Sequence, residues 1–287
     1  MGKTAPAKSG GLRTKGGKKI FDINYPIVSI ITVVFNDPHN LEKTIQSIMK
    51  QTYKNIEYII IDGGSTDYKT IEVIKKHEDD IDFWISESDN GIYDAMNKGI
   101  RYSSSSTYLN FLNAGDHYND NETLNSIFSN IYPKQPDLIY GDIYYIALNS
   151  KKKFYQKALS FNLENLLQKG TGAVCHQAIF IKKEVCPQYS TRYKFKGELN
   201  WYFDIIEKKD IETIYINKPI IVYYLGGFGY KYFLRNRIEW INVVRRRFGI
   251  TTVFKNKLIG FLYKNSLSRY PLLKKIDAFF TYKINSE

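Results

Sequence analysis

Val28-Ser-Ile-Ile-Thr-Val-Val-Phe35, followed at once by Asn36-Asp-Pro38, decides the fold. A run of eight residues, β-branched and nearly all apolar, suits a strand buried on both faces, and the Asn-Asp-Pro break ends it. Leu41, Ile45, Ile48 and Met49 then recur at helical spacing. Residues 56–61 form a second apolar run, closed by Asp62-Gly-Gly-Ser-Thr-Asp67. A helix through Ile71 and Ile74 follows, then a short strand at 81–85, a helix at 91–101 and a strand at 108–112. Strand and helix alternating at this spacing predict an α/β fold, a mainly parallel central sheet with helices on both faces. Ligands on such sheets sit beyond the carboxyl ends of the strands. That rule gives weight to Asn36, Asp62, residues 86–90 and residues 113–116.

The second half is less regular. Residues 138–142, 178–181 and 220–224 read as strands and 195–206 as a helix, while Gly226-Gly227 closes the globular part. The division expected is a disordered basic tail at 1–24, one catalytic-size domain at 25–227, and a basic, aromatic helical extension at 228–287. Charge supports this division. The net charge of +12 splits into +6 on residues 1–19, −4 on 20–227 and +10 on 228–287. Basic ends favour an anionic partner such as nucleic acid, an acidic lipid surface or a diphosphate; a solvated helical face is the plainer explanation. In the last segment Phe254, Leu258, Phe261 and Leu262 share a face, with Lys255, Lys257 and Lys264 nearby and Arg245-Arg246-Arg247 upstream. Such a helix either lies at an anionic bilayer surface or packs on the protein itself. Two cysteines exclude a disulfide scaffold and a four-cysteine metal site. No apolar run reaches membrane-spanning length, so a soluble or peripheral intracellular protein is expected.

Three acidic positions are candidates for chemistry. Asp62, at the end of a strand, either accepts hydrogen bonds from a nucleobase or ribose, or closes an Asx-turn in its Gly-Gly-Ser loop. Asn113-Ala-Gly-Asp116 offers a carboxylate beside a glycine, suited to a divalent cation bridging two phosphates, or else a simple turn. Asp89-Asn-Gly-Ile-Tyr-Asp-Ala-Met-Asn97-Lys98-Gly99 enters a helix whose first N–H groups suit an anion, with Asp89 alternatively an N-cap.

Five pieces in order carry a resemblance: residues 29–36, Ser47-Ile-Met-Lys-Gln-Thr-Tyr53, residues 61–67, residues 89–99 and Phe111-Leu-Asn-Ala-Gly-Asp116. With His176-Gln177, Gly197-Glu198 and Gly226-Gly227, the region 26–240 resembles the inverting, GT-A fold glycosyltransferases of family 2, especially the bacterial capsule and lipopolysaccharide branch. The resemblance implies a nucleotide-diphospho-sugar donor, a UDP-sugar by preference. Asp62 would contact its base or ribose, and Asn36, Asp89, Asn97 and His176 would line its site. Asp116 would hold a divalent metal, Mn²⁺ or Mg²⁺, and Glu198 would be the general base for the acceptor hydroxyl. The family often has a second acid where Gly63 stands, acids where Asn113 and Gly115 stand, and Asp where Glu198 stands.

The resemblance further implies a saccharide acceptor, expected to be lipid-linked, and a role in surface polysaccharide assembly at the cytoplasmic face of the membrane. Nucleic acid is not the expected partner. A non-catalytic sheet with a lipid- or nucleic-acid-binding tail is the rival reading. A nucleotidyltransferase is disfavoured because Asn36-Asp-Pro-His39 is neither glycine-rich nor basic. The late Leu225-Gly-Gly-Phe-Gly-Tyr230 lacks the spacing of a dinucleotide loop.

Overall fold

The computed structural model describes residues 7–267 except 105–106, 130–134, 148–149, 209 and 226–231; the side chains of 107, 233 and 257–267 are also left undescribed. The expectations at Gly226-Gly227, and at the Lys257, Leu258, Phe261, Leu262 and Lys264 side chains, lie outside it.

The amino-terminal half follows the apolar runs: β1 (Lys8–Gly10), β2 (Ile27–Val34), α1 (Pro38–Met49), β3 (Ile56–Asp62), α2 (Tyr68–Lys76), β4 (Phe83–Ser86), α3 (Ile92–Tyr102) and β5 (Thr107–Phe111). Then come β6 (His117–Tyr118), α4 (Thr123–Phe128), β7 (Leu138–Ile146), β8 (Lys153–Gln156), α5 (Leu163–Lys169), β9 (Ile179–Lys182), α6 (Gly197–Ile206), β10 (Thr213–Tyr224) and α7 (Phe233–Leu267). The strands form one sheet in the order β1-β4-β3-β2-β5-β9-β7-β10-β6, with β8 paired to β7. Strands β4, β3, β2 and β5 are parallel, as are β7 and β10; β9 runs antiparallel between the two blocks.

Apolar side chains on both faces explain the two-sided packing. From β2, Ile31 and Val33 join one core with Met96 and Ile100 of α3, Trp201 and Phe203 of α6 and Val243 and Val244 of α7. Val28, Ile30 and Val34 join the other, with Leu41 and Ile45 of α1, Ile74 of α2 and Leu124 of α4. Full burial of each such side chain stabilises by about 1.5–3 kcal/mol, so this one strand anchors both layers.

The structure corrects the tail. Residues 1–24 are expected to be disordered, yet Lys8–Gly10 adds an antiparallel strand to β4. The reason is charge. Arg13 pairs with Glu57, only 4% exposed, and Lys19 Nζ lies 2.7 Å from Asp82 Oδ2. With Lys15, which pairs with Glu78 and Asp79, three of the tail's bases therefore offset acids of the domain. The boundary at 227/228 is likewise crossed, since Val243, Val244 and Val253 of α7 are buried against the domain and Arg247 bonds Asp204 and Glu207 of the α6 region.

Candidate active site

Asp116 follows β5 in a tight turn whose Gly115 has φ +105°, a conformation that would strain any side chain at that middle position. Thr44 of α1 fixes the turn, its hydroxyl donating to the Asp116 carbonyl at 2.8 Å and accepting from the Gly115 amide at 3.0 Å. The Asp116 carboxylate is 6% exposed. Its Oδ1 accepts from the Tyr224 amide at 2.8 Å and its Oδ2 from Gln177 Nε2 at 2.5 Å. Burial pushes this carboxyl up to about 7, and the two hydrogen bonds recover only part of the loss.

Gln177 sits in the short 3₁₀ turn of residues 176–178 and also accepts from the Asn113 amide at 2.7 Å, tying that turn to the Asp116 loop. Its neighbour His176 has a buried Nε2 with no hydrogen-bond partner among the described residues. Burial holds the His176 imidazole below its usual pKa, with Glu198 pulling the other way. Cys175 completes the convergence: burial pushes its thiol up to about 12, and both Asp116 and Glu198 add to that. Consecutive residues of one turn thus face the two acids, Gln177 bonding Asp116 and His176 within electrostatic reach of Glu198.

Glu198 occupies the first turn of α6, half-buried, and its Oε2 accepts from Tyr93 OH of α3 at 2.5 Å. Among the described residues Oε1 takes no hydrogen bond. The segment leading into α6 is braced by α7: Glu239 accepts from the Lys194 amide at 2.9 Å, from Phe195 at 2.7 Å and from Lys196 at 3.0 Å.

The remaining candidates separate into two kinds. Asp62, fully buried, accepts from the Ser65 amide at 2.9 Å, from Ser65 Oγ and from Ser86 Oγ at 2.6 Å. Three of a carboxylate's roughly four acceptor positions are thus occupied. Asn36, at φ 50°, clamps the same loop, its Oδ1 taking the Thr66 and Asp67 amides at 2.8 and 2.9 Å. Asn97 is buried with its amide paired in both directions to the Tyr189 main chain, at 2.8 and 2.7 Å. The structure gives Asn36 and Asn97 scaffolding contacts, where the sequence suggests donor contacts. Asp89 bonds the Gly91 amide at 2.8 Å and lies over Gly63, where an added Cβ would fall 2.4 Å from Asp89 Oδ2. Asp89 therefore fills the space that a side chain at 63 would need.

Residues 29–190 match the family described as Glycosyl transferase family 2. The chain belongs to glycosyltransferase family 2. A "PGL/p-HBAD biosynthesis glycosyltransferase" of Mycobacterium bovis is 32% identical over 187 residues, 63% of this chain and 69% of that protein. An "Uncharacterized glycosyltransferase" of Mycobacterium tuberculosis is 43% identical over 94 residues, 32% of this chain and 35% of its own. Among solved structures, S. aureus TarS in complex with UDP-GlcNAc superposes with a TM-score of 0.56 at 12% identity, over 70% of this chain and 59% of TarS, just under two thirds of its length. A mannosyltransferase from Pyrobaculum calidifontis, in complex with GDP-Man and Mn2+, gives a TM-score of 0.57 at 13% identity over 87% of this chain and 82% of that one. These two share the GT-A fold, and the family 2 membership makes this protein a glycosyltransferase.

Donor chemistry at the turn of this family 2 glycosyltransferase fits a hard divalent cation. A buried carboxylate that burial pushes up to about 7 lacks a compensating positive charge. In the same turn, Asn113 Oδ1 is buried without a hydrogen-bond partner among the described residues. Among the described residues no three His, Cys, Asp or Glu side chains cluster to cage a metal, so a cation here would take phosphate and water as its other ligands. Sequence reading misses Gln177's bridge, Tyr93, Thr44 and Glu239. A Gln beside the His is visible, but its partner lies 61 residues away.

Proposed function

We propose that the protein is an inverting, metal-dependent glycosyltransferase that moves a sugar from a nucleotide-diphospho-sugar to a saccharide hydroxyl. The observation that supports this reading is the turn at 176–178, where Gln177 bonds Asp116 and His176 lies within electrostatic reach of Glu198. Glu198 Oε1 takes the proton of the acceptor hydroxyl as that oxygen forms its bond to the anomeric carbon and the bond to the diphosphate oxygen breaks. A positioned base of this kind contributes ~10²–10⁴-fold. Asp116, with Asn113 Oδ1 of the same turn as a further donor, would hold the cation, Mn²⁺ or Mg²⁺. When bound, that ion supplies Lewis-acid charge to the departing diphosphate. Asp89, half-buried, would mark the nucleoside end of the sheet edge, over a loop that the fully buried Asp62 braces.

A UDP-sugar is the preferred donor, supported by the sequence resemblance and by the TarS complex; GDP-mannose, held by the Pyrobaculum enzyme, is the alternative. A lipid-linked saccharide acceptor and a peripheral site at the cytoplasmic membrane face are supported by α7. Among the described residues no helix is long and apolar enough to cross a membrane. Yet Leu234 and Ile238 are exposed on α7 before its kink at Gly249 and Ile250 and Phe254 after it, with Arg245 and Arg246 exposed between them. Apolar and basic groups together suit an anionic bilayer surface, and surface-glycan assembly is the role this supports.

The test is a screen of UDP-glucose, UDP-galactose, UDP-GlcNAc and GDP-mannose for hydrolysis or transfer with Mn²⁺ and with EDTA. Turnover of a UDP-sugar that EDTA abolishes is expected. Calorimetric titration with UDP that shows no Mn²⁺-dependent heat, together with no turnover, would favour the non-catalytic reading.

A further inference from the structure

We infer that Tyr93 is a positioning residue, its hydroxyl reaching through the side-chain-free surface of Gly197 to fix one oxygen of Glu198 and leave the other for the acceptor proton. The inference rests on the reading of Glu198 as base. Three observations carry it.

First, the hydroxyl donates to Glu198 Oε2 at 2.5 Å, although the two residues are 105 positions apart. Second, the ring has no freedom. Tyr93 is 3% exposed and stacks on Tyr189 with centroids 5.7 Å apart and planes 14° apart; Tyr189 in turn stacks on Trp201 at 5.0 Å and 8°. Asn97, one turn beyond Tyr93 on the same helix, grips the Tyr189 main chain from both sides. Third, Gly197 is the first residue of α6. A Cβ there would sit 2.5 Å from Tyr93 Cε2, 2.6 Å from Cζ and 2.7 Å from Cδ2. The ring is locked on its other side by Tyr189, so it has nowhere to yield. Glycine at 197 is what admits the Tyr93 ring to the start of α6.

Chemistry agrees with the geometry. Burial, then the nearby Glu198 charge, raises the Tyr93 hydroxyl well above its ordinary pKa, so it remains a donor at any working pH. A general base must be held within hydrogen-bond reach of its proton, and small misplacements lower the rate steeply. Glu198 stands at a helix start with no other described hydrogen bond on its carboxylate, so without Tyr93 the side chain is free to rotate.

The experiment uses the full chain as wild type, Tyr93→Phe, Glu198→Gln, Glu198→Ala and the double variant of Tyr93→Phe with Glu198→Ala. Urea unfolding gives a coupling that does not depend on turnover. The change in unfolding constant caused by Tyr93→Phe is expected to be at least 5-fold larger in the wild-type background than in the Glu198→Ala background, because a glutamine would still accept from the Tyr93 hydroxyl. Additive effects would overturn the contact. Turnover is read on whichever screened nucleotide sugar the wild type consumes. Tyr93→Phe is expected to lower kcat 10–100-fold with UDP–Mn²⁺ affinity within 2-fold, a split that simple loss of structure would not produce. Unchanged kcat beside an inactive Glu198→Gln would overturn the positioning role alone. An active Glu198→Gln would instead remove the base reading and the positioning role with it, leaving the unfolding coupling in place. Gly197→Ala is expected to reproduce the kcat loss of Tyr93→Phe and to add nothing when combined with it; independent, multiplying losses would count against the inference.

Discussion

Replacing Glu239 by alanine tests how far the carboxyl-terminal helix belongs to the catalytic domain. Glu239 projects from α7 and collects the amides of Lys194, Phe195 and Lys196, the three residues that lead into α6 and so to Glu198. Hydrogen bonds to a charged acceptor contribute about 1.5–3 kcal/mol each when sheltered. Lys194 is exposed and Phe195 and Lys196 are half-buried, so the exposed contact counts for little and the other two are weakened by water. About 2–3 kcal/mol in total is a reasonable magnitude. For a domain of this size each kcal/mol shifts Tm by about 2–4 °C, so Glu239→Ala should melt roughly 5–10 °C below wild type. Glu239→Gln keeps an acceptor oxygen without the charge and should lose about 1 kcal/mol. Turnover should fall in the same order, because the freed segment carries the base. Scanning calorimetry and single-substrate kinetics on the three proteins suffice. A Glu239→Ala melting point within about 1 °C of wild type would show that α7 is an appendage and refute the bracing argument.

Two further outcomes follow from charge. Glu42 of α1 accepts from Lys76 Nζ, Gln46 Nε2 and His77 Nε2. Burial pushes its carboxyl up, but these bonds outweigh burial and hold it at about 2. Its folded pKa is depressed, so its contribution is present above about 4.5 and is lost as pH falls toward 2. Glu42→Gln should therefore lower stability at pH 7 by about 1 kcal/mol, allowing for solvent screening, and make little difference near pH 2 in urea melts. On α7, Arg245→Glu with Arg246→Glu should weaken sedimentation with phosphatidylserine vesicles, each base contributing about 1 kcal/mol at low salt. Equal binding to neutral phosphatidylcholine vesicles would count against the membrane proposal.

The amino-terminal fold is legible because parallel strands buried on both faces carry an unbroken apolar run, as at 28–34 and 56–61, and the intervening helices show their own period. The second half is harder. β10 extends back to Thr213 through Asn217-Lys-Pro219, a polar stretch that stays in register with β7 only by shifting between Ile216 and Ile221. The tail escapes a reading by composition because Lys8–Gly10 has nothing strand-like about it; it is held by pairing with β4 and by ions from distant acids, neither of which composition records.

The candidate site divides in the same way. Asp62 and Asp116 can be placed from sequence because one ends a strand and the other lies in the turn that follows one. Whether an amide side chain faces a ligand or clamps a loop depends on its neighbours in space, so Asn36 and Asn97 look like site residues in the sequence while their contacts in the fold are scaffolding. Tyr93 and Glu198 meet across α3 and α6, a pairing with no local signature. Where the family resemblance anticipates acids, Gly63 lies against the Asp89 carboxylate and Gly115 has a backbone conformation that would strain a side chain.

The most direct measurement compares Asp116→Ala with Glu198→Gln in two assays: calorimetric UDP binding with Mn²⁺, and sugar transfer or donor hydrolysis. Division of labour between the acids requires Asp116→Ala to lose the Mn²⁺-dependent part of UDP binding along with turnover. Glu198→Gln should bind UDP and Mn²⁺ like wild type and turn over at least ~100-fold more slowly, the low end of what a positioned base supplies. Wild-type turnover in either variant, or metal-dependent UDP binding untouched by the loss of Asp116, would contradict it.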